Sequence, residues 1–326
     1  MACACLQEFY LYLKKIFSYE RDLSEYARRY FSDLKRRGYF LLLEDEGSGH
    51  FGVGEISPFF LNSPPAIAYA KDMAEKHLDF KKNFYPKNCD NLKLSTLIDD
   101  RDPNKAMSRA IEAHENGFSA LKIKVGDRAI LDDIYLIKKI RNIDIGLEIR
   151  LDGNQKLSLA DALKMSDALA KDHISYFEEP LRDVSELCYL AHSSSILLAI
   201  DESFLNHFSI ANIQSSGARY VVLKPSRFSH SMEELRKIIS TIKELNMSVI
   251  LSTAFESEYF SSWLALEVFH NDLADNAHGI IEKRFFDKSP IPDSPFTDRG
   301  HVRFDEVIKF IFNFDPRKLS FVKELK

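Results

Sequence analysis

From about residue 92 onward, short apolar runs rich in β-branched residues alternate with stretches whose apolar positions recur every three or four residues. That alternation predicts parallel strands joined by crossover helices. The strand runs are LKLSTLI (92–98), SALKIKVG (119–126), LEIRLDGN (147–154), SYFEEPL (175–181), LLAIDES (197–203), YVVLKPS (220–226), SVILSTAF (248–255) and NAHGI (276–280). The clearest helix between them is SMEELRKIISTIKELN, where Leu235, Ile238, Ile239, Ile242 and Leu245 share one face. Ser231, with Glu234 three residues later, is a capping signature at its start. SLADALKMSDALAKDH and SEYFSSWLALEVFHND carry a similar rhythm. Eight strand–helix units predict an α/β fold, a TIM-type (β/α) barrel.

The first 90 residues read differently. EFYLYLKKIF and GYFLLLEDEGSGHFGVGEIS are aromatic and aliphatic, and GSGHFG is a Gly-rich turn, so antiparallel strands are expected. Between them RDLSEYARRYFSDLKRR places Leu23, Tyr26, Tyr30 and Leu34 at helical spacing, and SPPAIAYAKDMAEKHLDFKK reads as a helix opened by prolines. The expected organisation is an α+β capping domain over residues 1–90, the barrel over 91–295, and a segment, 296–326, that packs back on the cap.

Composition narrows the function classes. The chain has 326 residues, 45% hydrophobic and 29% charged, which is globular. A net charge of −5 supplies no global basic field, so neither nucleic acid nor an anionic membrane is an expected partner. A small molecule is, and a homo-oligomer is compatible with the sequence. Four cysteines are too few for a disulfide framework, and Cys3 and Cys5 have no nearby histidine to make a metal site. The amino terminus lacks a basic n-region, and Gln7 and Glu8 interrupt its apolar stretch, so a cytoplasmic location is expected.

The strand ends carry the candidate chemistry. Lys122 and Lys124, Asp152, Glu178 with Glu179, Asp201 with Glu202, and Lys224 recur at intervals of 23 to 28 residues, one strand–helix unit each. A single charge at a strand end is ordinarily a solvated rim residue. Five consecutive strands repeating the feature at one height point instead to a common cavity at the carboxyl face of a barrel, where such sites lie. The acids fall on the third, fourth and fifth strands and the lysines on the second and sixth, which face each other in a ring of eight. Three converging carboxylates need a divalent cation, and an all-oxygen set suits Mg2+. Asn154, Glu179 and Glu202 are suited to orient those ligands. A neighbouring ammonium and a dication both disfavour a protonated lysine, so one lysine is expected to serve as a base near neutral pH.

KIKVG, LDGN, FEEP, AIDES and VVLKP, in that order, resemble the enolase superfamily in its muconate-lactonizing subgroup. GVGEISP (52–58), STAFES (252–257) and NAHGI (276–280) are most similar to the o-succinylbenzoate synthases within it. The resemblance implies Asp152, Glu178 and Asp201 as Mg2+ ligands and Lys124 as the base that removes a proton alpha to a carboxylate. It implies Lys224 as a cation on the opposite face of the intermediate, and Lys122 as a partner of the substrate carboxylate. Ser252 and Thr253 would contact the succinyl tail, partly through backbone groups. The implied reaction is a dehydration that makes o-succinylbenzoate in menaquinone biosynthesis. An N-acylamino acid racemase or dipeptide epimerase also needs two opposed lysines, although AHGIIEKRFFD lacks the Asp-x-Asp expected to grip an amine. A non-catalytic binding barrel is the reading from another class, and the intact set of charged positions speaks against it. The stretch between GEISP and the K-x-K strand is shorter than the family usual by about one helix. The loop that closes over substrate is expected within residues 18–37. There Lys35, Arg36 and Arg37 are candidates for substrate carboxylates, or else form a solvated helix face.

Overall fold

The computed structural model describes residues 15–24, 35–45, 48–56, 64–83, 91–181, 183–206, 210–280, 291–297, 299–320 and 322–325. Strand β1 (Lys15–Asp22), β2 (Lys35–Glu44) and β3 (Phe51–Ile56) form an antiparallel meander. Helix α1 (Pro64–Asn83) lies across it. Its approach is close because β3 carries glycines: a Cβ at Gly54 would stand 1.7 Å from the Ala70 carbonyl oxygen, and one at Gly52 would stand 1.9 Å from that of Ala74. Ile16, Leu41, Ile56, Ile67 and Ala70 make the small core between sheet and helix.

The expected helix over RDLSEYARRYFSDLKRR is not what the structure builds at either end. Arg21 and Asp22 end β1, while Lys35, Arg36 and Arg37 open β2, and the middle of that segment lies outside the described residues. Cross-strand pairing accounts for the difference, because Arg37, Arg36 and Lys35 stand opposite Glu20, Arg21 and Asp22. Glu20 bonds Lys35 and Arg37 on the outer face, at 2.5 and 2.7 Å.

Strand β4 (Asn91–Lys93) follows, then β5 (Ser95–Ile98). Regular alternation continues with α2 (Pro103–Glu115), β6 (Ala120–Lys124), α3 (Ile130–Arg141), β7 (Glu148–Asp152), α4 (Leu159–Ala168), β8 (Ile174–Glu178), α5 (Val184–Ser193) and β9 (Leu198–Ile200). Two short helices, α6 (Glu202–Asn206) and α7 (Ile210–Ser215), lead to β10 (Tyr220–Leu223), α8 (Met232–Glu244), β11 (Ser248–Leu251) and α9 (Glu258–His270). Strands β5 to β11 form one parallel sheet in sequence order. Residues 277–280 close it into a ring: the amides of His278 and Gly279 donate to Lys93 and Leu251, and Ser95 and Thr253 donate back to His278 and Gly279. The run read as the eighth strand therefore completes the barrel through bridges rather than a full ladder.

Local chemistry explains the helix starts. The Ser231 hydroxyl accepts from the Glu234 amide at 3.0 Å, and the Glu234 carboxylate takes the His230 amide, one residue earlier than a capping box would have it. Asp102, Ser158 and Ser257 cap α2, α4 and α9 in the same way. Helix α9 is buried on nearly every side, since the barrel, the cap and the C-terminal helix α10 (Phe304–Asn313) all pack around it. Tyr259 of α9 stacks on Phe314 at 4.1 Å, and Phe40 of β2 meets both rings. Strand β12 (His301–Arg303) pairs with β4, and β13 (Val322–Leu325) adds an outer strand beside β1. The run LKLSTLI is thus shared: its first residues serve β12, and only its second half enters the barrel. Among the described residues no helix is long and apolar enough to cross a membrane.

Candidate active site

The strand register fixes the height of each functional side chain. Lys124, Asp152 and Glu178 are successive partners across β6, β7 and β8, and in a parallel pair such partners point to the same side. Asp201 follows the end of β9, two residues beyond Ala199, the partner of Glu178. Lys224 follows β10. Below this layer Tyr176, Ala199, Val222 and Ile250 plug the barrel with apolar packing. The acids consequently sit at the floor of an open end: Asp152 and Asp201 are 1% exposed and Glu178 is fully buried.

The amines stand among the acids. The Lys122 ammonium lies 2.8 Å from Asp152 and 2.7 Å from Glu178, bridging the two. Lys124 bonds the same Asp152 oxygen at 2.9 Å and also the Asn154 side-chain oxygen. On the far wall Lys224 contacts Asp201. Burial opposes the charge on Lys122, but Asp152 and Glu178 outweigh it and hold its pKa well above that of an ordinary amine. Burial opposes the charge on Lys224 too, with Asp201 prevailing. Burial likewise disfavours the Asp152 anion, yet Lys122 and Lys124 hold its pKa far below normal. Glu178, deepest of the acids, is pushed up to about 8 by burial, against the pull of Lys122 and with Asp152 and Asp201 adding to the rise.

Glu179 and Glu202 divide into different tasks. The Glu179 backbone is left-handed, with φ +38, which turns its carboxylate away from Glu178 and under the loop after β9. There it accepts from the amides of Asp201 and Ser203 at 2.8 and 2.7 Å, from the Ser203 hydroxyl, and from Gln155. It fixes the backbone that presents Asp201. Glu202 holds the Asn154 amide nitrogen at 3.1 Å, and Asn154 donates its own backbone N–H to Asp152 at 3.0 Å.

Three buried carboxylate oxygens, one each on Glu178, Asp201 and Glu202, have no hydrogen-bond partner. A desolvated anionic oxygen left this way is costly, and a hard cation is the partner such a set fits. Among the described residues, no three carboxylate, imidazole or thiol side chains already form a metal-ligand set, because lysine amines stand among the acids.

Above the acids is a cavity of about 430 Å3, within the size range of small-molecule sites. Lys122, Lys124 and Asp152 line one side of it and Lys224 the other, with Leu97, Ala254 and Phe255 supplying apolar wall. Ser252 and Thr253 line it too, but their backbone amides are already committed to Leu223 and Gly279 within the barrel. Their hydroxyls also donate to the Gly279 carbonyl, at 3.1 and 3.4 Å. His278, on the segment that closes the barrel, is buried: Nδ1 accepts from the Leu251 amide and Nε2 faces the Leu273 carbonyl at 3.0 Å. Burial lowers its pKa to about 4, so it is a neutral clasp of the closing strand.

Sequence reasoning passed over three charged residues that shape the site. Arg150, fully buried under the lysines, lies 5.1 Å over the Tyr176 ring and bonds Glu148 at 2.6 Å. Its signal was available, since it precedes Asp152 by two and so shares its face. Arg128 donates to the Lys124 carbonyl at 2.7 Å and to Asp133, whose carboxylate also takes the Gly126 amide. Those bonds depend on a loop conformation that periodicity does not report.

A hydrophobic dipeptide epimerase of Enterococcus faecalis is 37% identical over 105 residues, 31% of this chain and 29% of that protein. An o-succinylbenzoate synthase of Escherichia coli K12 is 27% identical over 152 residues, 46% of this chain and 47% of that protein. These alignments span less than half the length of the curated relatives. The structure of a dipeptide epimerase from Cytophaga hutchinsonii, complexed with Mg and the dipeptide D-Ala-L-Val, superposes with a TM-score of 0.73 at 19% identity, covering 89% of this chain and 93% of that one. Residues 105–297 match the family described as Enolase C-terminal domain-like, more than half of the sequence, and the chain belongs to that family.

Proposed function

We propose that the chain is a Mg2+-dependent o-succinylbenzoate synthase, a carbon–oxygen lyase acting on 2-succinyl-6-hydroxy-2,4-cyclohexadiene-1-carboxylate in menaquinone biosynthesis. The observation that carries the reading is one cavity with Lys124 on one wall, Lys224 on the opposite wall and three buried acids beneath. Asp152, Glu178 and Asp201 would hold the metal, which when bound offsets negative charge that develops on the substrate carboxylate. Lys124 takes the proton alpha to that carboxylate. Lys224 faces the other side of the ring, where its positive charge stabilises the carbanionic intermediate, a gain realised only as the proton leaves. The neighbouring hydroxyl then leaves as water, taking up the proton that Lys124 had accepted, and the ring becomes aromatic.

Cavity charge supports this substrate over a dipeptide. Among its described lining residues, five are cationic, Lys122, Lys124, Lys156, Lys224 and Arg227, against Asp152 alone. Such a lining suits a dianion with two carboxylates. A dipeptide ammonium would need an acid of its own. The second reading, racemisation of N-acylated amino acids or epimerisation of dipeptides, is favoured by the 37% identical relative and by the same opposed lysines. Incubation with Mg2+ and the cyclohexadiene carboxylate, followed by ultraviolet absorbance, tests the proposal. Growth of the aromatic product supports it, and turnover of N-acyl amino acids or dipeptides alone overturns it.

A further inference from the structure

Two residues of the cavity wall have left-handed backbones. Asn154, at φ +42, is a residue type that tolerates this region, whereas Phe255, at φ +67, is not. A bulky side chain persists there only when its surroundings over-determine it. Those surroundings come largely from the cap. Arg36 of β2, 5% exposed, donates to the Ala254 carbonyl at 3.2 Å and to the Phe255 carbonyl at 3.4 Å. Its guanidinium also lies 6.0 Å from the Phe255 ring centroid. On either side the backbone is held as well: the Ala254 amide donates to Glu256 at 2.5 Å and the Ser257 amide to Glu55 of β3 at 2.9 Å. Three of the four residues from 254 to 257 thus have a backbone polar group fixed by a cap side chain, Arg36 or Glu55.

From this we infer that Arg36 is a positioning residue that holds Phe255 in its left-handed conformation, and that Phe255 is a specificity-determining wall limiting the tail a substrate can carry. The specificity part rests on the function proposed above; the coupling of the two residues does not. With Arg36 removed, Phe255 relaxes toward an extended backbone and its ring leaves the wall. With glycine at 255, which adopts positive φ freely, Arg36 has less to do.

The test uses the full chain with Mg2+ and the variants R36A, R36K, F255A, F255G and R36A/F255G, read by thermal melting and by kinetics. F255G is expected to melt above F255A, and R36A to lower Tm by more in the wild-type background than in F255G. On the cyclohexadiene carboxylate, or on N-succinyl amino acids if those are turned over, R36A is expected to raise KM about tenfold with kcat within about threefold, and R36K to restore most of the loss. F255G is expected to shift preference toward longer tails. Equal Tm losses in both backgrounds, or a fall in kcat with KM unchanged, would make Arg36 a plain docking contact and overturn the inference. No turnover of either substrate class removes the proposed function and, with it, the specificity claim, while the melting comparisons still decide the coupling. Should R36A fail to fold, the R36K kinetics and the F255A–F255G pair decide it.

Discussion

Glu55 offers a quantitative test of how the cap is joined to the barrel. Its carboxylate, 1% exposed, accepts from the Tyr19 hydroxyl at 2.7 Å, the Ser257 amide at 2.9 Å and the Ser257 hydroxyl. Burial raises its pKa from 4.5 to about 7; the Ser257 and Tyr19 bonds oppose the rise and Glu256 adds to it. A raised folded value means that the native state keeps a proton which the unfolded chain has already lost. Stability from this group is therefore fully present below about pH 4.5 and drains away as pH climbs toward 7, by at most about 1.4 kcal/mol per pH unit. Integrated over the window the loss is about 3 kcal/mol. Glu55→Gln mimics the protonated acid and keeps an acceptor for Ser257 and Tyr19. Urea unfolding of both proteins from pH 4.5 to 8 should show their free-energy difference moving by about 3 kcal/mol in favour of the glutamine form as pH rises. Parallel curves across that range would refute the account, since they would mean that Glu55 is solvated or ionised in the folded state.

Three further outcomes are expected. Lys124→Ala should lower kcat by about 10^2 to 10^4, the usual contribution of a positioned base, with circular dichroism unchanged; activity within a few-fold of wild type would remove Lys124 from its role. Calorimetry with MgCl2 should detect binding that Asp201→Asn weakens by at least about tenfold, and EDTA should abolish turnover. Arg21 forms a buried two-bond pair with Glu258 at the start of α9, at 2.6 and 3.0 Å. Arg21→Met leaves that acid buried and unpaired, so equilibrium unfolding should register a loss of about 3 to 5 kcal/mol.

The barrel was legible because its signals are local. Each strand is a short apolar run, the helix after β10 opens at the capping Ser231, and the charges at Lys124, Asp152, Glu178, Asp201 and Lys224 stand at one strand–helix spacing. Where an element depends on a distant partner, the local pattern misled. Lys35 to Arg37 carry charges in a run that looks helical, yet their place is decided by pairing with Glu20 to Asp22. LKLSTLI reads as one strand, but β12, some 200 residues later, takes its first half.

The same division separates the chemistry of the site from its selectivity. Proton abstraction beside a carboxylate needs acids and amines at fixed heights, and alternation along strands supplies those heights, so five positions suffice to suggest it. Selectivity needs a wall of defined shape. Here that wall includes Phe255, whose backbone angle no residue pattern announces and whose partner Arg36 lies 219 positions away on another sheet. Arg36 looked like one charge among several beside Lys35 and Arg37, and its neighbours do pair across the exposed face of the cap. Alternation alone sends its side chain inward, and burial then obliges it to find acceptors, which the loop at Ala254 and Phe255 provides. An enzyme built this way can keep one catalytic floor and change substrate through its cap, because the residues that shape the wall are not those that move the proton.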